Sequence, residues 1–169
     1  MLKILLVVVL APVALYIALA LAWGREGVLE RLFGPIVRGP VEFATLQLKP
    51  TPNQYLVCPA GYCSATPHAD SPVFEMPADK LRQAWLGVIE RQPRVKLISS
   101  DAENNQYDLE ARTPVLLFPD TVTVRFLPLG EKQSTLAVYS RSHYGHSDLG
   151  VNKSRITGWL AELEKELRH

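Results

Sequence analysis

Cysteine is scarce in this 169-residue chain, with two residues only, and neither sign of charge is in excess: eighteen Lys and Arg face seventeen Asp and Glu. Two cysteines exclude a disulfide-dense scaffold and a paired CxxC zinc fold. The balanced charge excludes the basic footprint of a nucleic-acid binder and the acidic excess of a solvating tail, so no nucleic-acid partner is expected. Glycine-rich phosphate loops, kinase motifs, H-E-x-x-H and G-x-S-x-G are all missing, as are internal repeats. The length suits one domain of ordinary size, not two large ones.

Apolar residues are present in quantity, and they are concentrated. From Ile4 to Trp23 every residue except Pro12 is apolar. A helix over that run, at about 1.5 Å per residue, matches the roughly 30 Å hydrocarbon core of a bilayer. Residues 1–23 therefore read as a transmembrane signal anchor, with the membrane as a partner through residues 4–23. Lys3 before the run, and Ala18-Leu19-Ala20 or Ala20-Leu21-Ala22 within it, also permit a cleaved secretory signal, but the run exceeds an ordinary signal core. Pro12 is tolerated in membrane helices, and Trp23 suits an interfacial belt. Counting Lys3 against Arg25, Arg31 and Arg38 puts the remainder in the cytoplasm. Large C-terminal domains translocate largely regardless of charge, however, and a cysteine pair fits an oxidising compartment. The expected placement is a single pass in a bacterial inner membrane with the C-terminal domain in the periplasm.

Residues 24–52 read as a juxtamembrane segment, amphipathic through Val28, Leu29, Leu32, Phe33, Ile36 and Val37, followed by a linker punctuated by Pro40, Pro50 and Pro52. The folded domain is expected over 53–169. In it, Pro77 opens a helical pattern with Leu81, Trp85, Val88 and Ile89 on one face, ending before Pro93. Strand candidates follow: Val95–Ile98; Tyr107, Leu109 and Ala111 in alternation; Val122, Val124 and Phe126 in alternation; and Leu136, Val138 and Ser140. Asn104-Asn105 and Pro128–Lys132 supply turns. Ile156, Trp159, Leu160, Leu163 and Leu167 form a stripe on a last helix. The expected fold is α+β: an antiparallel sheet of about four strands with a helix before and a helix after, preceded by one N-terminal transmembrane helix.

Two segments could carry chemistry. Cys58-Pro-Ala-Gly-Tyr-Cys63 is a candidate disulfide, Pro59 and Gly61 giving the turn; metal ligation with His68, a redox pair and buried thiols are the alternatives. The second runs from Tyr139 to Arg155, where a strand leaves into a polar loop that feeds the last helix. Arg141, Lys153 and Arg155 near a helix N-terminus suit a carboxylate or phosphate. The alternative is a purely structural role, in which Asp148 or Asn152 caps that helix, Gly145 and Gly150 serve the turn and Arg141 pairs with a carboxylate on a neighbouring strand. The candidate ligand-binding residues are Arg141, Ser142, His143, His146, Asp148, Asn152 and Arg155. His143, His146 and Asp148 would be the ligands of a metal-assisted hydrolase, but their spacing fits no familiar hydrolase motif, so no catalytic residue, metal or cofactor is assigned. Asp120, in Phe118-Pro119-Asp120, reads as a turn residue.

The Cys-Pro-x3-Cys segment together with Ser140-Arg141-Ser142, Gly145, Ser147-Asp148-Leu149-Gly150-Val151-Asn152 and Arg155-Ile156 resembles the family catalogued as domain of unknown function 1499. The resemblance covers about residues 53–166. It implies a small domain, often attached to a membrane segment, and brings no catalytic residues. The expected function is a membrane-anchored, periplasm-facing binding or accessory module, with residues 139–155 as its recognition surface. Its partner would be a small anionic ligand or an unidentified protein; a hydrolase and a structural subunit of a membrane complex are the alternatives.

Overall fold

The computed structural model describes residues 2–114 and 117–168, with backbone alone at 2–10, 13, 25 and 26. It divides into two units, Met1–Val37 and Arg38–His169. The first holds α1 (Leu2–Phe33), which contains Pro12 and is interrupted at Gly24 (φ 71°, ψ 159°). That conformation is open to glycine at little cost, and it falls where the apolar run ends. Among the described residues no helix is long and apolar enough to cross a membrane. The side chains of residues 4–10, the first third of the expected span, lie outside that description.

The second unit follows the order β1 (Gln54–Cys58), β2 (Ala69–Asp70), α2 (Ala78–Glu90), β3 (Val95–Asp101), β4 (Gln106–Arg112), β5 (Pro119–Pro128), β6 (Ser134–Ser142) and α3 (Val151–Leu167). The strands form one six-stranded sheet in the order β2-β1-β6-β5-β4-β3. The α+β class holds, and the four expected strands are β3 to β6, paired antiparallel in sequence order. Two features correct the expectation. β1 adds itself antiparallel to β6, and β2 pairs with β1 in parallel, so the sheet is mixed and has two more strands than foreseen. Gln54-Tyr-Leu-Val-Cys58 is a good strand sequence that the flanking prolines and cysteine motif obscured. Ala69-Asp70 is too short to leave a periodic signal.

Alternation along the strands builds two faces. On one, Tyr55, Val57, Leu109, Val122, Val124, Phe126, Leu136 and Val138 meet Leu81, Trp85 and Val88 of α2 and Ile156, Trp159 and Leu163 of α3. The Trp85 ring packs edge-on to both Phe126 and Trp159. Pro77 stands just before the first turn of α2, which closes at Arg91. The opposite face carries a second cluster, Leu56, Cys58, Ala137 and Tyr139, covered by Val41 and Phe43 with Leu46 and Leu48 against them. Residues 38–49 therefore form a strap across the sheet, and the compact unit begins ahead of the expected Asn53. Val41, Phe43, Leu46 and Leu48 are the reason: they supply the apolar cover that this face needs, where a free spacer would leave them in water.

Candidate functional site

The expected site residues leave β6 in alternation and so part company. Ser140 and Ser142 point to the helix-covered face, Tyr139 and Arg141 to the strap face.

On the helix side the centre is Asn152, fully buried in the first turn of α3. Its Oδ1 accepts from Ser140 Oγ (2.5 Å) and Arg155 Nη1 (2.7 Å). Its Nδ2 donates to Asn53 O (3.1 Å), Ser142 Oγ (3.0 Å) and Asp148 Oδ2 (2.7 Å). Asp148 also accepts from the main-chain N–H of Gly150 (3.0 Å) and Asn152 (2.7 Å). At the α3 N-terminus the chain's own Asp148 thus caps the first turn, its carboxylate taking the Asn152 N–H and facing the positive dipole end. Arg155 Nη2 pairs with Asp120 Oδ2 at 2.6 Å, with Asp120 almost fully buried. Asp120 is the second residue of β5, which corrects its reading as a turn residue. Burial pushes its carboxyl up, against the pull of Arg155. Its Oδ1 finds no hydrogen-bond donor among the described residues. A cleft of about 340 Å³ between α3 and the β3–β4 edge is lined by Arg94, Arg112, Arg155 and Trp159. There Arg155 answers Asp120 and Arg112 answers Glu110.

The strap side is different. Arg141 sits in register between Gln54 of β1 and Thr121 of β5, both neutral. Its guanidinium lies 5.2 Å over the Tyr139 ring and 3.4 Å from Thr123 Oγ1, and it forms no ion pair among the described residues. That corrects the expected pairing with a strand carboxylate. Burial pushes Arg141 below the usual arginine value, opposed by Tyr139 and Asp108. It opens into a second cleft of about 340 Å³, lined by Gly39–Glu42, Thr45–Gln47, Lys49 and Tyr139. Gln54 fixes both walls. It exchanges hydrogen bonds with the main chain of Lys49 (3.3 and 2.6 Å) and accepts the Tyr139 hydroxyl at 2.6 Å. Beside Arg141, His143 Nε2 meets Thr121 Oγ1 at 2.6 Å. Burial, then the charges of Arg141, Arg38 and Lys49, push its pKa down to about 4, with Glu110 opposing. His143 is therefore neutral at pH 7. Buried Glu110 is enclosed by Arg38, Lys96 and Arg112. Burial raises its pKa, but hydrogen bonds from Lys96 and Arg112 outweigh this and hold it below the ordinary glutamate value.

His143, His146 and Asp148 do not gather: the first turns to Thr121, the second is exposed, and the third is committed to α3. No group of three or more His, Cys, Asp and Glu among the described residues could hold a metal ion. Cys58 and Cys63 form a disulfide, with Cα atoms 6.3 Å apart. His68 instead accepts the Leu56 N–H through Nδ1 at 3.0 Å. The residues that sequence reasoning passed over are Asn53, Gln54 and Lys49, read as linker or domain start, and Glu110 and Asp120. Glu110 had a signal: an acid between Lys96 and Arg112 on strands that pair.

The fold and its polar interior define a small α+β domain with a disulfide-closed loop after its first strand, a buried Asn–Arg–Asp network under its last helix and a charged cleft beneath its strap. The chain belongs to the family described as protein of unknown function (DUF1499), whose model matches residues 40–163. That range takes in most of the strap together with the disulfide, the network and all but the end of α3. None of the curated proteins matches this chain.

Proposed function

We propose that this chain is a membrane-anchored, periplasm-facing accessory module that binds a small anion in the strap cleft, with Arg141 as the recognition group. One observation carries the reading: Arg141 is withdrawn from water, has no carboxylate partner among the described residues, and faces a cleft that Lys49 also lines. A guanidinium so placed loses hydration that the Tyr139 ring, the long Thr123 contact and the charge of Asp108 offset only in part, since burial still pushes it down, and its planar fork suits carboxylate or phosphate oxygens.

Support for the anchor comes from the apolar run 4–23 within α1 and from Leu15, Ile17, Leu21 and Trp23, which are exposed on it. Such a surface is costly in water and favourable in hydrocarbon. Periplasmic placement draws support from the Cys58–Cys63 disulfide, which persists in an oxidising compartment.

Calorimetric titration of the full chain in detergent tests the binding reading. Inorganic phosphate or acetate is expected to bind, and Arg141→Gln to weaken binding at least about tenfold, the loss of one charge-assisted contact. Absence of binding by either anion, or equal affinity in a folded Arg141→Gln variant, overturns it.

A further inference from the structure

The charges around the strap cleft select among anions, an inference that rests on the cleft being an anion site. Three charged side chains line it: Glu42, Lys49 and Arg141. Glu42 is already answered, its two oxygens 2.9 and 3.3 Å from the Nη atoms of Arg125, and the hydrogen bond from Arg125 holds its pKa down. Lys49 is held by its main chain through Gln54, and its ammonium forms no ion pair among the described residues. Among the lining residues two cations therefore remain without a carboxylate in contact, Asp108 acting on Arg141 from outside the lining. A monocarboxylate would neutralise one of them and leave the other facing its like. A single compact group carrying close to two negative charges neutralises both.

The neutral lining points the same way. Thr45 and Gln47 add a hydroxyl and an amide around the cations, the Tyr139 hydroxyl being already given to Gln54, and several oxygens on one centre can be met together by a guanidinium fork, an ammonium and neutral donors. We propose that the strap cleft takes a phosphate group in its dianionic form, as inorganic phosphate or a phosphate monoester, held between Arg141 and Lys49. The monoester has two sources, a soluble metabolite or the headgroup of a phosphatidic-acid-like lipid; the strap follows Phe33, the end of the anchor helix, within a few residues of sequence.

His143 reports on occupancy without being needed for it. It stands outside the cleft lining, and the charges that face it are Arg141, Arg38 and Lys49 against Glu110. A bound phosphate offsets those cations even as the monoanion it becomes below its second pKa, about 6 for a monoester, so the imidazole midpoint rises.

The experiment follows the His143 ring by NMR across pH 3.5–8 in the full chain, alongside calorimetry with phosphate, acetate and malonate. Expected is phosphate binding that is tightest above about pH 7, where the dianion prevails, and that raises the His143 midpoint above its ligand-free value. Lys49→Gln, a change at an exposed strap position, and Arg141→Gln should each weaken phosphate at least tenfold. Reconstitution into nanodiscs with phosphatidic acid or phosphatidylglycerol, without free phosphate, separates the sources. A midpoint shift with phosphatidic acid alone marks the lipid headgroup, and a shift with free phosphate alone marks a soluble ligand. Acetate or malonate binding as tightly as phosphate overturns the dianionic phosphate while leaving an anion site standing. Phosphate affinity unchanged in folded Lys49→Gln overturns the two-cation site. No binding by any of the anions removes this proposal and the proposed function together.

Discussion

At the scale of the residue, one side chain does most to define the end of the sheet. Asn152 holds α3, the Asp148 loop, β6 and the Asn53 main chain through five hydrogen bonds. Asn152→Ala leaves buried partners unpaired, at about 1–3 kcal/mol for the first such group. Chemical denaturation should show a loss of about 3 kcal/mol; a loss below about 1 kcal/mol would mean that water replaces the amide. Asn152→Asp should be worse, because it sets a second carboxylate against Asp148. His143 gives a pH signature. Its folded pKa is about 4 against an ordinary 6.5, so the unfolded chain takes up a proton that the folded chain refuses. The stability it contributes is complete above pH 6.5 and is lost as pH falls toward 4, about 2 kcal/mol after discounting for partial exposure. Glu42 and Glu110, held below their ordinary value, lose their contributions only further down, while Asp120, pushed up by burial, acts in the opposite sense, so the histidine is isolated by the difference between the wild-type and His143→Gln profiles at pH 4.5–6.5. His143→Gln should flatten the stability profile there, and an unflattened profile counts against the buried neutral ring. The polar run 139–155 was legible as dense in functional groups. What the pattern could not reveal is that Arg155 belongs to Asp120, because that pair spans two elements and 35 positions.

Elements were legible in proportion to their periodicity. α2 and the meander β3–β6 carry clean patterns and stand where the pattern puts them, within a few residues at their ends. The strap has no period, since it crosses the sheet as irregular chain, and its apolar residues gain meaning only from the face they cover. The disulfide loop fastens it. Ser64 donates through its N–H to Phe43 O (3.1 Å) and through Oγ to Leu46 O (3.0 Å), while the Tyr62 ring lies 6.3 Å from that of Phe43. With Cys58 buried in β1, the bridge to Cys63 sets where Ser64 begins. Closing so short a loop contributes about 2 kcal/mol on the chain-entropy account. Cys63→Ser is therefore expected to cost about that much, with the effect concentrated in the strap. Hydrogen exchange would show the Ser64 amide, donor to the strap, exchanging faster while α2 and α3 keep their protection. Uniform acceleration across the domain would mean that the loop serves the whole fold, not the strap.

For the whole molecule, the near-neutral sum conceals an uneven distribution. All seventeen acidic residues and all but Lys3 of the basic ones lie beyond Trp23, so the chain is an apolar segment charged only at Lys3 joined to a balanced remainder. Within the domain two cations, Arg141 beneath the strap and Lys49 at its end, stand without carboxylate partners in contact among the described residues, which a whole-chain sum cannot register. If the apolar segment anchors the protein in the inner membrane with the domain outside, the bridge is closed in cells and reachable from the periplasm. An impermeant maleimide applied to intact cells should then label the chain only after an impermeant reductant opens Cys58–Cys63, these being its two cysteines. Carbonate washing should leave the full chain with the membranes, and removal of residues 1–33 should release it. Labelling confined to lysed cells and independent of reductant would place free thiols in the cytoplasm. It would also return the orientation to the side favoured by Arg25, Arg31 and Arg38, and the strap cleft would then face cytoplasmic phosphate instead of periplasmic ligands.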